Sequence, residues 1–340
     1  GVGAVWYKDE AQRFGLGSFK PLGAGFALAK AIAARLRRDG IAGNPTVSDV
    51  VSGRYRDATR AITVVSATDG NHGRALAWAG RRFDASVEII VHNDVSPGRR
   101  AAMEALGANV TVSAGNYDET VREAFALGEA FDWVVVQDTS AGTYRAVPID
   151  ICHGYGIIAE EMVAELEAPL THVIVQAGVG GLASALCAQF WRHYGRRRPK
   201  FLTLEPASAA CVAESLAVGK PVTVESEART MMAGLDCGEV SQTAWQVLAT
   251  GADGALVIGD GLAIEGMRRL AHPPQGEPRI VAGECAGGAV GALLALGERP
   301  HLKRALQLGT QSSVLIIGTE GATDPAIYRS VVGDTLAPTL

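Results

Sequence analysis

Short β-branched runs alternate with helical stretches along the whole chain, and that alternation limits the fold more than any other feature. Residues 61–66 (Ala-Ile-Thr-Val-Val-Ser), 86–92, 109–113, 133–137, 171–176, 201–205, 255–258 and 314–318 read as buried strands by length and composition. Pro21 suits the first turn of a helix in which Phe26, Ala29, Ala33 and Leu36 share a face, and Gly40 ends it. Further helices are expected from Gly73 to Arg82, Pro97 to Leu106, Tyr117 to Ala130, from after Pro148 to about Glu167, Leu182 to Tyr194, Gly261 to Arg269 and Ala286 to Leu296. Apolar strands feeding helices require an α/β fold, with mostly parallel sheet covered on both faces. In such folds ligands bind beyond the carboxyl ends of strands.

A chain of 340 residues is long enough for two domains or lobes. The net charge of −5 with no basic block argues against a nucleic-acid groove. There is no run of 18 uncharged apolar residues, so no membrane span is expected. Gly1 to Lys8 is not a signal peptide, and the chain starts almost inside a strand (Ala4 to Tyr7), so residues before it are expected to be missing. Five cysteines without a CxxC pair favour the cytoplasm and argue against a zinc site; no metal is expected.

The unusual clusters lie where the alternation puts ligands. Lys20 is the only charged residue between Phe14 and Ala29. An amine in apolar surroundings ionises less readily and can attack a carbonyl to form a Schiff base; the alternative is an ordinary lysine snorkelling from a helix start. Gly178-Val179-Gly180-Gly181-Leu182 joins a strand to a helix and suits a phosphate. The loop also fits a dinucleotide fingerprint through Ala183, with Glu205 ending the next strand as a ribose acid, so a nicotinamide cofactor is a rival at this point. Thr68-Asp69-Gly70-Asn71-His72-Gly73 offers helix-start amides for a carboxylate, an amide at Asn71 for a ring oxygen, and Asp69 as either base or helix cap. His72 reads as structural rather than catalytic. Asp138 ends a buried run as a candidate acid or a solvated turn residue. Thr319 ends another, with a hydroxyl fit for a pyridine nitrogen or a cap.

Together, FGLGSFK, ATDGNHGRALAW, VVVQDTS, AGVGGLAS and IIGTEGATDP resemble, in collinear order from Tyr7 to Thr323, the fold-type II enzymes that use pyridoxal 5'-phosphate. Within them the chain is similar to the diaminopropionate ammonia-lyases, for which Asp69 and Asp138 are the narrower signs. The proline that follows Lys20, where an alanine is expected, departs from that pattern. The resemblance implies two open, mostly parallel twisted sheets in a large domain (1–53 and 149–340) and a small one (54–148), with the cofactor between them. It implies Lys20 as the Schiff-base lysine, Asn71 at the ring hydroxyl, Gly178 to Leu182 at the phosphate and Thr319 at the ring nitrogen. Thr68, Asp69, Gly70, His72 and Asp138 would meet a small amino-acid substrate, with Asp69 serving L-2,3-diaminopropionate and Asp138 the D form. The products would be pyruvate and two ammonia. Cys211 and Cys237 would form a disulfide-competent pair near the site, and the enzyme would be a cytoplasmic homodimer. Threonine/serine dehydration and 3-hydroxyaspartate ammonia-lyase activity remain as neighbouring alternatives, and a nicotinamide-dependent oxidoreductase as a remote one.

Overall fold

The β-branched runs form two sheets, each parallel throughout. The computed structural model describes residues 1–333 except 69, 141, 167 and 226–228. In chain order the elements are β1 (Ala4–Asp9), a 3-10 turn (Arg13–Gly15), α1 (Lys20–Arg38), α2 (Val47–Val51), α3 (Arg56–Thr59), β2 (Thr63–Ala67), α4 (Asn71–Phe83), β3 (Ser86–His92), α5 (Pro97–Glu104), β4 (Asn109–Ser113), α6 (Tyr117–Phe131) and β5 (Val134–Val135). They continue with α7 (Ala146–Tyr155), α8 (Ile157–Glu165), β6 (His172–Gln176), α9 (Gly181–Tyr194), β7 (Lys200–Pro206), α10 (Cys211–Val218), α11 (Gln242–Gly251), β8 (Gly254–Ile258), α12 (Asp260–Ala271), α13 (Glu284–Gly297), α14 (Pro300–Leu306), β9 (Ser313–Gly318) and α15 (Pro325–Val332). One sheet runs β1-β9-β6-β7-β8 and the other β4-β3-β2-β5.

The chain divides into two compact units, Gly1–Phe19 with Tyr155 onward, and Lys20–Gly154. The first break therefore differs from the expected 53/54 boundary. The reason is α1, which packs on α2, α3 and α4 of the second unit. Gly25 of α1 lies so close to α4 that an added Cβ would stand 3.5 Å from the Trp78 ring.

In the first unit Ile174, Leu202, Leu204, Val314 and Ile316 pack with Ala289, Ala292 and Leu296 of α13. In the second, Val65, Ala67 and Ile90 pack with Ala124 of α6. Each fully buried aliphatic side chain contributes ~1.5–3 kcal/mol. An exposed ion pair contributes ~0–1 kcal/mol, so apolar burial holds these sheets. Helices α12 and α13 meet across glycines: a Cβ on Gly266 would lie 1.9 Å from the Gly287 carbonyl oxygen, and one on Gly291 1.9 Å from that of Leu262.

Two elements differ from the sequence-based expectation. The 133–137 run contracts to β5, because the Gln137 N–H donates to the Tyr144 hydroxyl at 2.9 Å instead of continuing the ladder. The helix expected after Pro148 begins earlier, at Ala146, and is split by Gly156 into α7 and α8. Pro148 is the third residue of α7, where its missing N–H leaves no helical bond unmade.

Candidate active site

The chain reaches Lys20 through a tightly pinned segment. Arg13 donates to both oxygens of buried Glu10 at 2.8 Å and to Glu161 at 3.0 and 2.7 Å. Phe14 adopts φ 53° and Gly15 and Gly17 φ 71° and 76°, turning the chain back. Ser18 then pairs with Glu320, and the Phe19 N–H donates to the Thr319 carbonyl at 3.1 Å. Lys20 follows as the first residue of α1.

Lys20 is not in the purely apolar surroundings expected of it. Its Nζ donates to Asp138 Oδ2 at 2.8 Å, and both side chains are partly buried. Asp138 stands past β5, where Gln137 is anchored by accepting from the Ser66 hydroxyl at 2.9 Å and the Ala67 N–H at 3.1 Å. Burial pushes the Asp138 carboxyl up. The Lys20 ammonium and hydrogen bonds outweigh that and hold it well below the usual carboxylate range. His72 is buried, and its Nε2 bonds the Val136 carbonyl at 2.9 Å. Burial pushes its pKa down, so the ring is neutral. With Nε2 donating, Nδ1 carries the lone pair; it faces Asp138 Oδ2 at 3.8 Å without a hydrogen-bond partner among the described residues. Lysine, carboxylate and imidazole thus form one cluster.

The Thr68 turn is shaped by its own hydroxyl, which accepts from the Gly70 and Gly73 N–H groups at 3.3 Å. Only glycine fits at 73, since a Cβ would lie 2.4 Å from Met103 Sδ and 2.5 Å from Thr68 Cγ2. Asn71 is the first residue of α4, half-buried, and its amide makes no hydrogen bond among the described residues. Asp69 lies outside the described residues.

The glycine loop joins β6 to α9 as expected. Gly180 has φ 90°, and a Cβ on Gly178 would stand 2.9 Å from the Gly234 carbonyl and 3.0 Å from Cys237 Sγ. Val179 offers its carbonyl to the Ser241 N–H at 2.9 Å. No acidic residue occupies the first turn of α9, where Gly181 and Leu182 present helix-start amides. Glu205 does not complete a dinucleotide site. Its oxygens accept from the Val212 N–H at 2.7 Å and the Ala213 N–H at 2.8 Å, capping α10, and burial pushes it up to about 7. Cys211 donates to the Gly178 carbonyl at 3.5 Å. All five cysteines carry thiols, so the Cys211–Cys237 pair is unbridged.

Thr319 is buried just past β9, and its hydroxyl donates to Glu320 Oε2 at 2.5 Å. Glu320 and the equally buried Glu284 were not among the sequence-based candidates. The available signal was an acid directly after a strand-end threonine in an otherwise apolar run.

Each unit carries groups of the kind a phosphorylated pyridine aldehyde needs: the second an amine at Lys20, and the first a cradle of amides that admits no side chain at Gly178 and a buried hydroxyl at Thr319. Residues 1–320 match the profile of the family described as pyridoxal-phosphate dependent enzyme. The chain belongs to that family. It is similar to the diaminopropionate ammonia-lyase of Salmonella typhimurium, 34% identical over 98% of this chain and 84% of that protein. The Escherichia coli diaminopropionate ammonia-lyase, solved with an aminoacrylate-PLP azomethine reaction intermediate, superposes with a TM-score of 0.88 at 34% identity, covering 98% of this chain and 83% of that one. The same Escherichia coli enzyme has been solved with D-serine. A Solanum lycopersicum threonine deaminase shares the fold, with a TM-score of 0.74 at 20% identity over 97% of this chain and 82% of its own. This pyridoxal-phosphate dependent enzyme is a lyase by its relatives, and pyridoxal 5'-phosphate is its cofactor. No helix among the described residues is long and apolar enough to cross a membrane.

Proposed function

We propose that this enzyme eliminates ammonia from 2,3-diaminopropionate, the enamine released hydrolysing to pyruvate and a second ammonia. The observation that carries the reading is the Lys20–Asp138 pair, an amine and a strand-end carboxylate 2.8 Å apart. Bound cofactor supplies the electron sink for the pair left when the Cα–H bond breaks. Lys20 would hold its aldehyde carbon, Asn71 would face the ring hydroxyl, Gly178, Val179, Gly180, Gly181 and Leu182 would hold the phosphate, and Thr319 would meet the ring nitrogen. Thr68 and Gly70 orient the substrate carboxylate through turn amides. Asp138 takes the Cα proton of the D enantiomer and Asp69 that of the L enantiomer. The neutral His72 ring lies 3.8 Å from Asp138 and accepts no charge of its own. A carboxylate close to the β-ammonium also favours a diamino substrate over a hydroxy one, which speaks against the dehydratase alternative. A cytoplasmic homodimer completes the reading, supported by the resemblance. A panel of D- and L-2,3-diaminopropionate, serine, threonine and 3-hydroxyaspartate, followed by pyruvate or oxoacid release, tests it. The diamino acids should have the highest kcat/KM, and a preference for threonine or hydroxyaspartate would overturn the assignment.

A further inference from the structure

Glu320 has no part in the chemistry above, yet it is 5% exposed and bonded to the one hydroxyl assigned to the ring nitrogen. Its Oε1 accepts from the Ala286 N–H at 2.9 Å, at the start of α13. Its backbone is fixed as well, by the Ser18 bridge and by the Gly283 N–H, which donates to its carbonyl at 2.9 Å. A Cβ on Gly283 would stand 2.8 Å from Oε1, so the carboxyl fills its niche. Among the described residues no lysine or arginine pairs with it. A carboxyl held in this way has little freedom to turn, only freedom to gain or lose a proton.

The Thr319–Glu320 contact permits two arrangements. With Glu320 ionised, the Thr319 hydroxyl donates to it, and the Thr319 oxygen can only accept from a third group. With Glu320 protonated, the carboxyl donates to Thr319, and the Thr319 hydrogen turns outward as a donor. We propose that Glu320 is a positioning residue that, through Thr319, sets whether the ring nitrogen of the cofactor meets a hydrogen-bond donor or an acceptor. This rests on the proposed placement of Thr319 at that nitrogen. A donor suits the neutral pyridine nitrogen, which draws less electron density from the reacting carbon; an acceptor suits only the protonated one. Glu320 thereby tunes the strength of the electron sink without touching the cofactor.

The surroundings put the change of state within the working range. Burial, then the like charge of Glu284, pushes the Glu320 carboxyl up to about 7. Burial first, with the charge of Glu320 adding to it, holds the Cys285 thiol and the Tyr7 hydroxyl protonated well above their ordinary values. Asp9, beyond Tyr7, is raised by burial, and Glu10 is closed off in its pair with Arg13. Glu284 is the neighbour whose charge matters.

The test is the nitrogen-15 resonance of ring-labelled pyridoxal phosphate in the holoenzyme, followed from pH 6 to 9. In the wild type the resonance moves with pH as Thr319 changes from donor to acceptor. Glu320→Gln, whose amide donates to Thr319 at every pH while its oxygen still accepts from Ala286, removes that movement. Glu284→Gln, which removes the like charge, shifts the midpoint to lower pH. A flat wild-type profile, a Glu320→Gln profile that titrates like the wild type, or an unmoved midpoint in Glu284→Gln would each overturn the inference. Thr319→Val isolates the underlying placement: a resonance identical to wild type at every pH would show that Thr319 is not at the nitrogen, whatever Glu320 does.

Discussion

Asp138 answers to two partners of opposite character. The Lys20 ammonium keeps it ionised, while the neutral His72 ring turns a lone pair toward the same oxygen. It is free to take a proton only once the lysine amine is engaged elsewhere, and His72 then becomes an acceptor for that proton's hydrogen bond. Asp138→Asn should lower kcat/KM on D-2,3-diaminopropionate by about 100-fold or more, the usual weight of a general base, with a smaller loss on the L form. Equal losses in steady-state assays of the two enantiomers would contradict the division of labour. Lys20→Ala should abolish turnover of both, and borohydride should no longer fix the cofactor to the protein. The positions of Lys20 and Asp138 were legible in the sequence, since each follows or ends a recognisable element. Their pairing was not. Nothing local in a sequence says which strand ends are neighbours in a parallel sheet, and the apolar flanks of Lys20 concealed a counter-charge 118 residues away.

At the scale of elements, helices and strands were read from periodicity, and the departures have local causes. A tyrosine hydroxyl ends β5 early, and one glycine divides α7 from α8. The α12–α13 contact was invisible because its determinant is the absence of side chains at Gly266, Gly287 and Gly291. Gly291→Ala should destabilise the enzyme toward or beyond the upper end of the ~1–3 kcal/mol typical of overpacking, read as a lower denaturation midpoint. The kcat of the protein that remains folded should stay close to wild type. Glu205 teaches the converse lesson. As a strand-end acid in the right place for a ribose it looked functional, and the structure gives both its oxygens to the α10 amides.

For the whole molecule, buried carboxyls set a pH window of stability. Glu205 and Glu320 are raised from 4.5 to about 7, so the stability they lend is full below 4.5 and is lost as pH rises through 7. Glu161, lowered from 4.5 to about 2 chiefly by its hydrogen bond to Arg13, lends stability that is present above 4.5 and is lost as pH falls toward 2. Scanning fluorimetry from pH 3 to 9 should therefore place the highest Tm at about 4.5, with Tm falling as pH rises from there to 7. Glu205→Gln should gain on the wild type as pH rises through 7; a constant difference across the range would show that Glu205 is ionised in the fold at its ordinary pKa. The pairing of β1 with β9 has a consequence of a different kind, in time. Ala4 pairs with Ser313, so a strand synthesised before Lys20 finds its neighbour only when almost the whole chain has emerged. The sheet of the other unit is complete within residues 63–135. At ~5–20 residues per second, β1 waits on the ribosome for on the order of ten seconds after that sheet can close. The half that carries the amine is built first, and the half that carries the glycine loop is the last to become whole.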